Sequence, residues 1–180
     1  MEVFDYIVVG AGSAGSVIAN RLSESGKHSV LLLEAGVGDQ RLYVQMPIGY
    51  GKVYYDKRVN WKYTTEPVSG LGNRSSYWPR GKVLGGSSSI NAMVYVRGHQ
   101  RDYEQWQSVA DGWGWSDVEP YFKKMECWLG APSKHRGANG PLPITDITNE
   151  AHPLCNTYLE AAKQIQLPIC LLYTSPSPRD

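Results

Sequence analysis

Three glycines, Gly10, Gly12 and Gly15, followed nineteen residues later by Glu34, form the first constellation in this chain able to do chemistry. A G-x-G-x-x-G turn brings backbone N–H groups up to an anion. Gly10 permits the tight turn, Gly12 leaves space for a pyrophosphate, and Gly15 lets a helix pack closely on a strand. Ser13 and Ala14 would open that helix, whose free N–H groups and positive dipole end favour phosphate. Glu34, with Ala35 behind it, falls where a carboxylate accepts from ribose hydroxyls, and its charge argues against a 2′-phosphate. A second cluster, Arg80-Gly81-Lys82-Val83-Leu84-Gly85-Gly86-Ser87-Ser88-Ser89-Ile90-Asn91, supplies unencumbered N–H groups and hydroxyls able to form an anion-binding nest. A Gly/Ser linker is the bland alternative, but a linker would not sit between Leu84 and Ile90.

The elements that must position these residues are legible around the first cluster. Phe4–Val9 reads as a buried parallel strand running straight into Gly10. Ala14, Val17, Ile18 and Leu22 form the stripe of an amphipathic helix, Gly26 suits a left-handed C-cap, and Ser29–Leu33 reads as a second strand ending at Glu34. A plain βαβ unit with a glycine turn would look similar, and the unit alone does not separate FAD from NAD. The next β-α unit does not follow. About forty-five residues of turn-rich, aromatic sequence from Ala35 to Trp78 intervene, which suits a larger flavoprotein better than a compact NAD domain. Met93–Val96 reads as a short apolar run.

Composition closes other routes. A formal charge of +1 in 180 residues offers no general attraction to nucleic acid or an anionic membrane. Three scattered cysteines, Cys127, Cys155 and Cys170, suit reduced thiols in a cytoplasmic protein rather than a disulfide framework or zinc site. No segment approaches the ~20 apolar residues of a membrane span, and the acidic N-terminus lacks the basic start of a signal peptide. No HExxH, paired-His or clustered-carboxylate pattern suggests a metal.

The residues of the second cluster, with Tyr95, Gly98 and Glu104 beyond it, resemble the first signature of the glucose–methanol–choline (GMC) oxidoreductases, particularly the choline-dehydrogenase-like branch. Asn60-Trp61-Lys62-Tyr63-Thr64-Thr65-Glu66-Pro67, Arg97-Gly98, Asp102-Tyr103 and Trp106 also look like family landmarks. The resemblance covers roughly residues 3–168. It implies an α/β fold: a Rossmann-like FAD/NAD(P)-binding domain, truncated, with the start of a substrate domain. It implies FAD rather than NAD, with the diphosphate on Gly10–Gly15 and the adenosine ribose on Glu34. The flavin end would be held from Val83 to Val94, through Gly85, Gly86, Ser87, Asn91, Ala92, Met93 and Val94. Some members carry FAD covalently on a His just before the motif's Asn. Ile90 stands there, so that link is absent. A small alcohol would be the substrate, with the electron acceptor unspecified. Alternatives are a non-catalytic adenine-dinucleotide module or an NAD(P)-dependent reductase.

The implied chemistry is alcohol oxidation, for which the family's base is a His near its C-terminus, beyond this chain. None of the four histidines here has a telling acidic partner. His28 precedes the second strand, His99 reads as a surface residue in a polar loop, His135 lies in a loop, and His152 sits at a helix start. No catalytic residue is assigned. Downstream, Ser116–Glu119 reads as a capping box, with Val118, Phe122 and Met125 as the stripe behind it. Trp106, Trp113 and Trp115 are expected to pack this layer, and Lys123 and Lys124 to face solvent. Ala151–Gln166 reads as a helix with an apolar face of Leu154, Tyr158, Ala162 and Ile165 in need of a partner. Residues 1–168 are thus expected to form the N-terminal FAD-binding portion of such an enzyme. Residues 169–180 read as a disordered or non-native tail, Leu172–Asp180 resembling translated adapter sequence.

Overall fold

The computed structural model describes residues 2–147 and 150–167. Cys170 and the tail beyond Pro168 lie outside the described residues. The chain divides after Met93 into two compact units.

The first unit begins with the expected βαβ element. Strand β1 (Tyr6–Val9) pairs in parallel with β2 (Val30–Leu33), in register Tyr6↔Val30 through Val9↔Leu33. Helix α1 (Ser13–Ser23) connects them. Glycine decides both ends of this connection. Gly10 has φ +94°, and a Cβ on Gly15 would stand 1.9 Å from the Gly10 carbonyl oxygen. Gly26, at φ +67°, donates its N–H to Ser23 O.

The expected stripe on α1 is only partly buried: Val17 and Ile18 are 57% and 50% exposed. Strands stand about 4.8 Å apart and a helix is about 10 Å wide, so two strands cannot cover a helix flank. The sheet is bare in the same way, with Ile7 and Val9 exposed. Parallel sheets are ordinarily buried on both faces.

Short helices α2 (Leu42–Gln45) and α3 (Tyr50–Val53) follow, then the antiparallel pair β3 (Tyr63–Thr64) and β4 (Tyr77–Trp78). The core of this unit is Val53, Val59, Val83 and Ile90, with Val44 against it. Two of these belong to the second glycine cluster, so that stretch is threaded through the core rather than slung as a linker. Buried Asn60 staples it there. Its amide donates to Tyr54 O, and its Oδ1 accepts from the N–H groups of Lys62 and Arg80.

The second unit carries α4 (Gln100–Gln107), α5 (Trp115–Met125), the parallel pair β5 (Glu126–Trp128) and β6 (Leu142–Ile144), and α6 (Pro153–Gln164). The apolar run Met93–Val96 is irregular. Met93 takes a left-handed φ of +59°, outside extended geometry. The cap of α5 is also displaced. Gly114, not Ser116, precedes the helix and donates its N–H to Asp117 Oδ2, while Gln107 Oε1 draws in the N–H groups of Trp113 and Gly114. Tyr103, Trp115 and Phe122 pack together, with Trp106 and Trp113 at the half-exposed edge. Lys123 is not free in solvent but pairs with Glu119 at 2.9 Å. The expected face of α6 is open: Leu154, Tyr158 and Ile165 are exposed.

A buried ion cluster ties this unit together, and nothing in the sequence marked it. Glu126, fully buried, receives Arg97 at 2.6 Å, Arg136 at 3.0 Å and the Gly137 N–H at 2.8 Å.

Candidate functional site

The two glycine clusters meet backbone to backbone. The Gly85 N–H donates to Ala11 O at 2.8 Å, and a Cβ on Gly86 would stand 2.7 Å from Gly12 Cα. Gly85 reaches this position at φ +88°, opening a 3-10 turn over Gly86–Ser89. Beside the junction lies a hollow of about 570 Å³, lined by Gly10, Gly12, Glu34, Ala35, Gly86 and Ser87 among the expected residues. Ser13 and Ala14 form the first turn of α1, and Gly15 supplies the close packing beneath it.

The Glu34 carboxylate lies at the lip of this hollow, already engaged. Oε2 accepts from the Ala11 N–H at 2.9 Å and Oε1 from the Gly36 N–H at 2.8 Å. Each oxygen keeps a further lone pair for a hydroxyl donor. The serines are less free than the sequence suggests. Ser88 and Ser89 donate their hydroxyls to Gly85 O and Leu84 O, and Ser87 Oγ accepts from the Gly81 N–H. Val83 has its side chain wholly in the core, so only its main chain could face a ligand.

The remaining expected residues lie apart from this hollow. Asn91 and Met93 line a smaller recess of about 150 Å³ with Tyr43, Gln45, Ser88 and Ile90. Asn91 Oδ1 accepts from the Met93 N–H, Ala92 is exposed, and Val94, 74% exposed, begins the second unit.

Trp61, Tyr63 and Arg80 also line the hollow and were not among the expected cofactor residues. Lys62 between them takes φ +58°, and the Trp61 and Tyr63 rings lie parallel, 6.0 Å apart and within 5°. The Lys82 ammonium lies 4.4 Å from the Trp61 ring and the Arg80 guanidinium 5.1 Å from that of Trp78. The alternation Trp61-x-Tyr63 was the available signal.

The hollow therefore offers a glycine-lined, backbone-walled cleft, one carboxylate, a flat aromatic face and a cation. A dinucleotide's diphosphate, ribose and base have matching needs. Gly12 is the sharpest fit: a Cβ there would meet nothing nearer than Gly86 Cα at 4.0 Å, so the glycine keeps open space rather than serving packing.

No histidine joins this site. His99, expected on the surface, is a half-buried N-cap: its Nδ1 accepts from the Arg101 N–H, and its own N–H donates to Asp102 Oδ2. His152 caps α6 through Leu154 N–H, and His28 packs edge-on against Tyr6. Among the described residues no group of His, Cys, Asp and Glu could hold a metal, and no helix is long and apolar enough to cross a membrane.

Comparison with known proteins agrees with this geometry. Residues 4–172 match the family described as GMC oxidoreductase. The oxygen-dependent choline dehydrogenase of Photobacterium profundum is 45% identical over 167 residues, which are 92% of this chain and 29% of that protein. Pyridoxine 4-oxidase from Mesorbium loti superimposes with a TM-score of 0.82 at 36% identity, over 91% of this chain and 32% of that one. Formate oxidase from Aspergillus oryzae, in a structure concerned with FAD modification, gives 0.81 at 30% identity, over 96% and 32%. The chain thus spans less than a third of the length of these relatives. Together with the two glycine loops and Glu34, the match establishes that this chain belongs to the GMC oxidoreductase family, with the architecture of that family's N-terminal, FAD-binding region.

Proposed function

We propose that residues 1–168 form the FAD-binding portion of an enzyme that oxidises a small alcohol, in the manner of the choline dehydrogenases it resembles. The observation that carries this reading is the convergence of Gly10, Gly12, Gly86 and Glu34 on one hollow. FAD, when bound, supplies the hydride acceptor for an alcohol C–H bond while the hydroxyl proton leaves to a base. This chain's residues do the holding. The first turn of α1 and the Gly85–Ser87 backbone face the diphosphate, Glu34 accepts from the adenosine ribose, and Trp61 offers a surface on which a base stacks. Asn91 to Val94 are assigned to the flavin end through their main chain. The proton acceptor is assigned outside these residues, because none of the described histidines lines the hollow or the recess of Asn91 and Met93. A cytoplasmic setting belongs to the same proposal, supported by the free thiols of Cys127 and Cys155.

Titration of FAD with the purified 180-residue chain, followed by flavin fluorescence, tests the reading. Saturable binding is expected, and Gly12→Val should abolish it while leaving the thermal transition in place. Binding of NADH in preference to FAD would transfer the assignment to a nicotinamide-dependent reductase. The chain alone should not oxidise choline or simple primary alcohols in a dye-linked assay; flavin-dependent turnover would place a base within it.

A further inference from the structure

We propose that Glu34 and Ser16 are positioning residues that lock the Ala11 peptide, so that the first glycine loop holds its binding shape before any nucleotide arrives. Ala11 is fully buried between two glycines, where the backbone is otherwise at its most free. Its N–H donates to Glu34 Oε2 at 2.9 Å. Its carbonyl accepts twice, from the Gly85 N–H at 2.8 Å and the Ser16 hydroxyl at 3.1 Å. Both lone pairs of that oxygen are then in use. The flanks are held as well: Gly10 N–H donates to Leu33 O, and Ser16 N–H to Gly12 O.

Ser16 is the distinctive member. A helical serine ordinarily returns its hydroxyl to the carbonyl four residues back. Here it reaches the fifth, outside the helix, and spends its bond on the loop. Glu34 does two things with one group, because the N–H groups of Ala11 and Gly36 leave a lone pair on each oxygen for a ribose. A loop ordered in advance loses less entropy when its ligand binds. The geometry of the lock is independent of the ligand; only its benefit to affinity rests on the FAD reading.

Amide hydrogen exchange in the nucleotide-free 180-residue chain tests the lock, in wild type, Ser16→Ala, Ser16→Thr and Glu34→Gln. Loss of one bond should speed Ala11 exchange about threefold in Ser16→Ala and about tenfold or more in Glu34→Gln, the larger change reflecting a charged partner. Ser16→Thr should restore the wild-type rate. The Gly26 amide, at the far end of α1, serves as control and should not move. Overall melting of Ser16→Ala should hold or rise slightly, since alanine favours helix over serine, whereas a merely structural role would lower the melting temperature as Ala11 exchange accelerates. FAD affinity of Ser16→Ala should fall by the same factor as its Ala11 exchange accelerates. Ala11 exchange within twofold of wild type in Ser16→Ala overturns the proposal, and the Ser16 pair decides it even if Glu34→Gln does not fold. Wild type that shows the protection but binds no FAD would refute the cofactor reading and leave the lock standing.

Discussion

In the unit before Met93, backbone lies on backbone. A Cβ on Gly36 would stand 2.0 Å from the Lys82 carbonyl carbon, one on Gly81 2.1 Å from Gly86 O, and one on Gly15 1.9 Å from Gly10 O. In the unit from Val94 onward backbone also meets backbone, a Cβ on Gly137 standing 1.8 Å from Lys123 O and one on Gly140 2.2 Å from the Met125 carbonyl carbon, but there the approach also seats a buried charge. The absence of a side chain at Gly137 lets its N–H reach Glu126, where two arginines already converge. Both units are therefore damaged by adding atoms at these glycines, and the second also by removing the charge at the centre of its buried cluster. A cleft walled by main chain presents donors with fixed geometry and no rotamers to order, which suits an anionic ligand. A buried arginine–glutamate–arginine cluster positions strands but presents nothing to solvent.

The comparison can be broken first at Glu126. Replacing it with Gln should destabilise the second unit by about 3–5 kcal/mol, because two buried guanidinium groups lose their counter-charge. Urea denaturation measures this, and a loss below about 1 kcal/mol would show that the cluster is not what holds this unit.

Next comes an added side chain in the first unit. Gly15→Val should cost about 1–3 kcal/mol or more, because its Cβ collides with the rigid Gly10 carbonyl rather than a side chain that can swing aside. Thermal unfolding of the variant beside Gly12→Ala sharpens the contrast, since the Gly12 Cβ has space and should leave the fold within about 0.5 kcal/mol of wild type. Equal losses would mean that packing, not ligand space, sets both positions.

Glu34→Ala should weaken FAD by about 1.5–3 kcal/mol, the scale of a hydrogen bond to a charged group. Calorimetric titration reads it, and unchanged affinity would remove the ribose contact.

The smallest expected effect is at Asp56. Its bidentate hydrogen bond to Arg58 holds the carboxyl at about 2, below the ordinary value of 3.8. A depressed acid stabilises the fold above its unfolded pKa, near 4, and loses that contribution as pH falls toward 2. Arg58 is largely exposed, so the stabilisation is at most about 1 kcal/mol. Asp56→Asn should lower stability by at most about 1 kcal/mol at pH 7 and change little at pH 2, flattening the curve between pH 4 and 2; a larger difference at pH 2 than at pH 7 would reverse the sign of the argument.

Sequence by itself determined the parts of this protein whose geometry is local. Gly10 must turn with positive φ, Gly15 must admit the helix, Gly26 must end it, and the β-branched runs must extend, because each constraint lies within a few residues of its cause. The resemblance to a family rested on such strings and predicted the fold and cofactor class. Tertiary structure alone decided the long-range matters. The apolar run Met93–Val96 is irregular around a left-handed Met93, and the N-cap of α5 is Gly114, held by Gln107 and Asp117, where the sequence offered Ser116. Trp61, Tyr63 and Arg80 entered the hollow only because Asn60 pins the Arg80–Gly81 backbone beside them. Glu126 looked like any surface glutamate until Arg97, 29 residues away in sequence, and Arg136 were brought to it. Burial and charge pairing are properties of the assembled chain, since they depend on which distant residue fills the space a side chain faces. Ala11 has the same lesson on the smallest scale: its place between two glycines is written in the chain, whereas the three groups that hold it come from Ser16 on α1, Glu34 just past β2 and Gly85 of the second glycine turn.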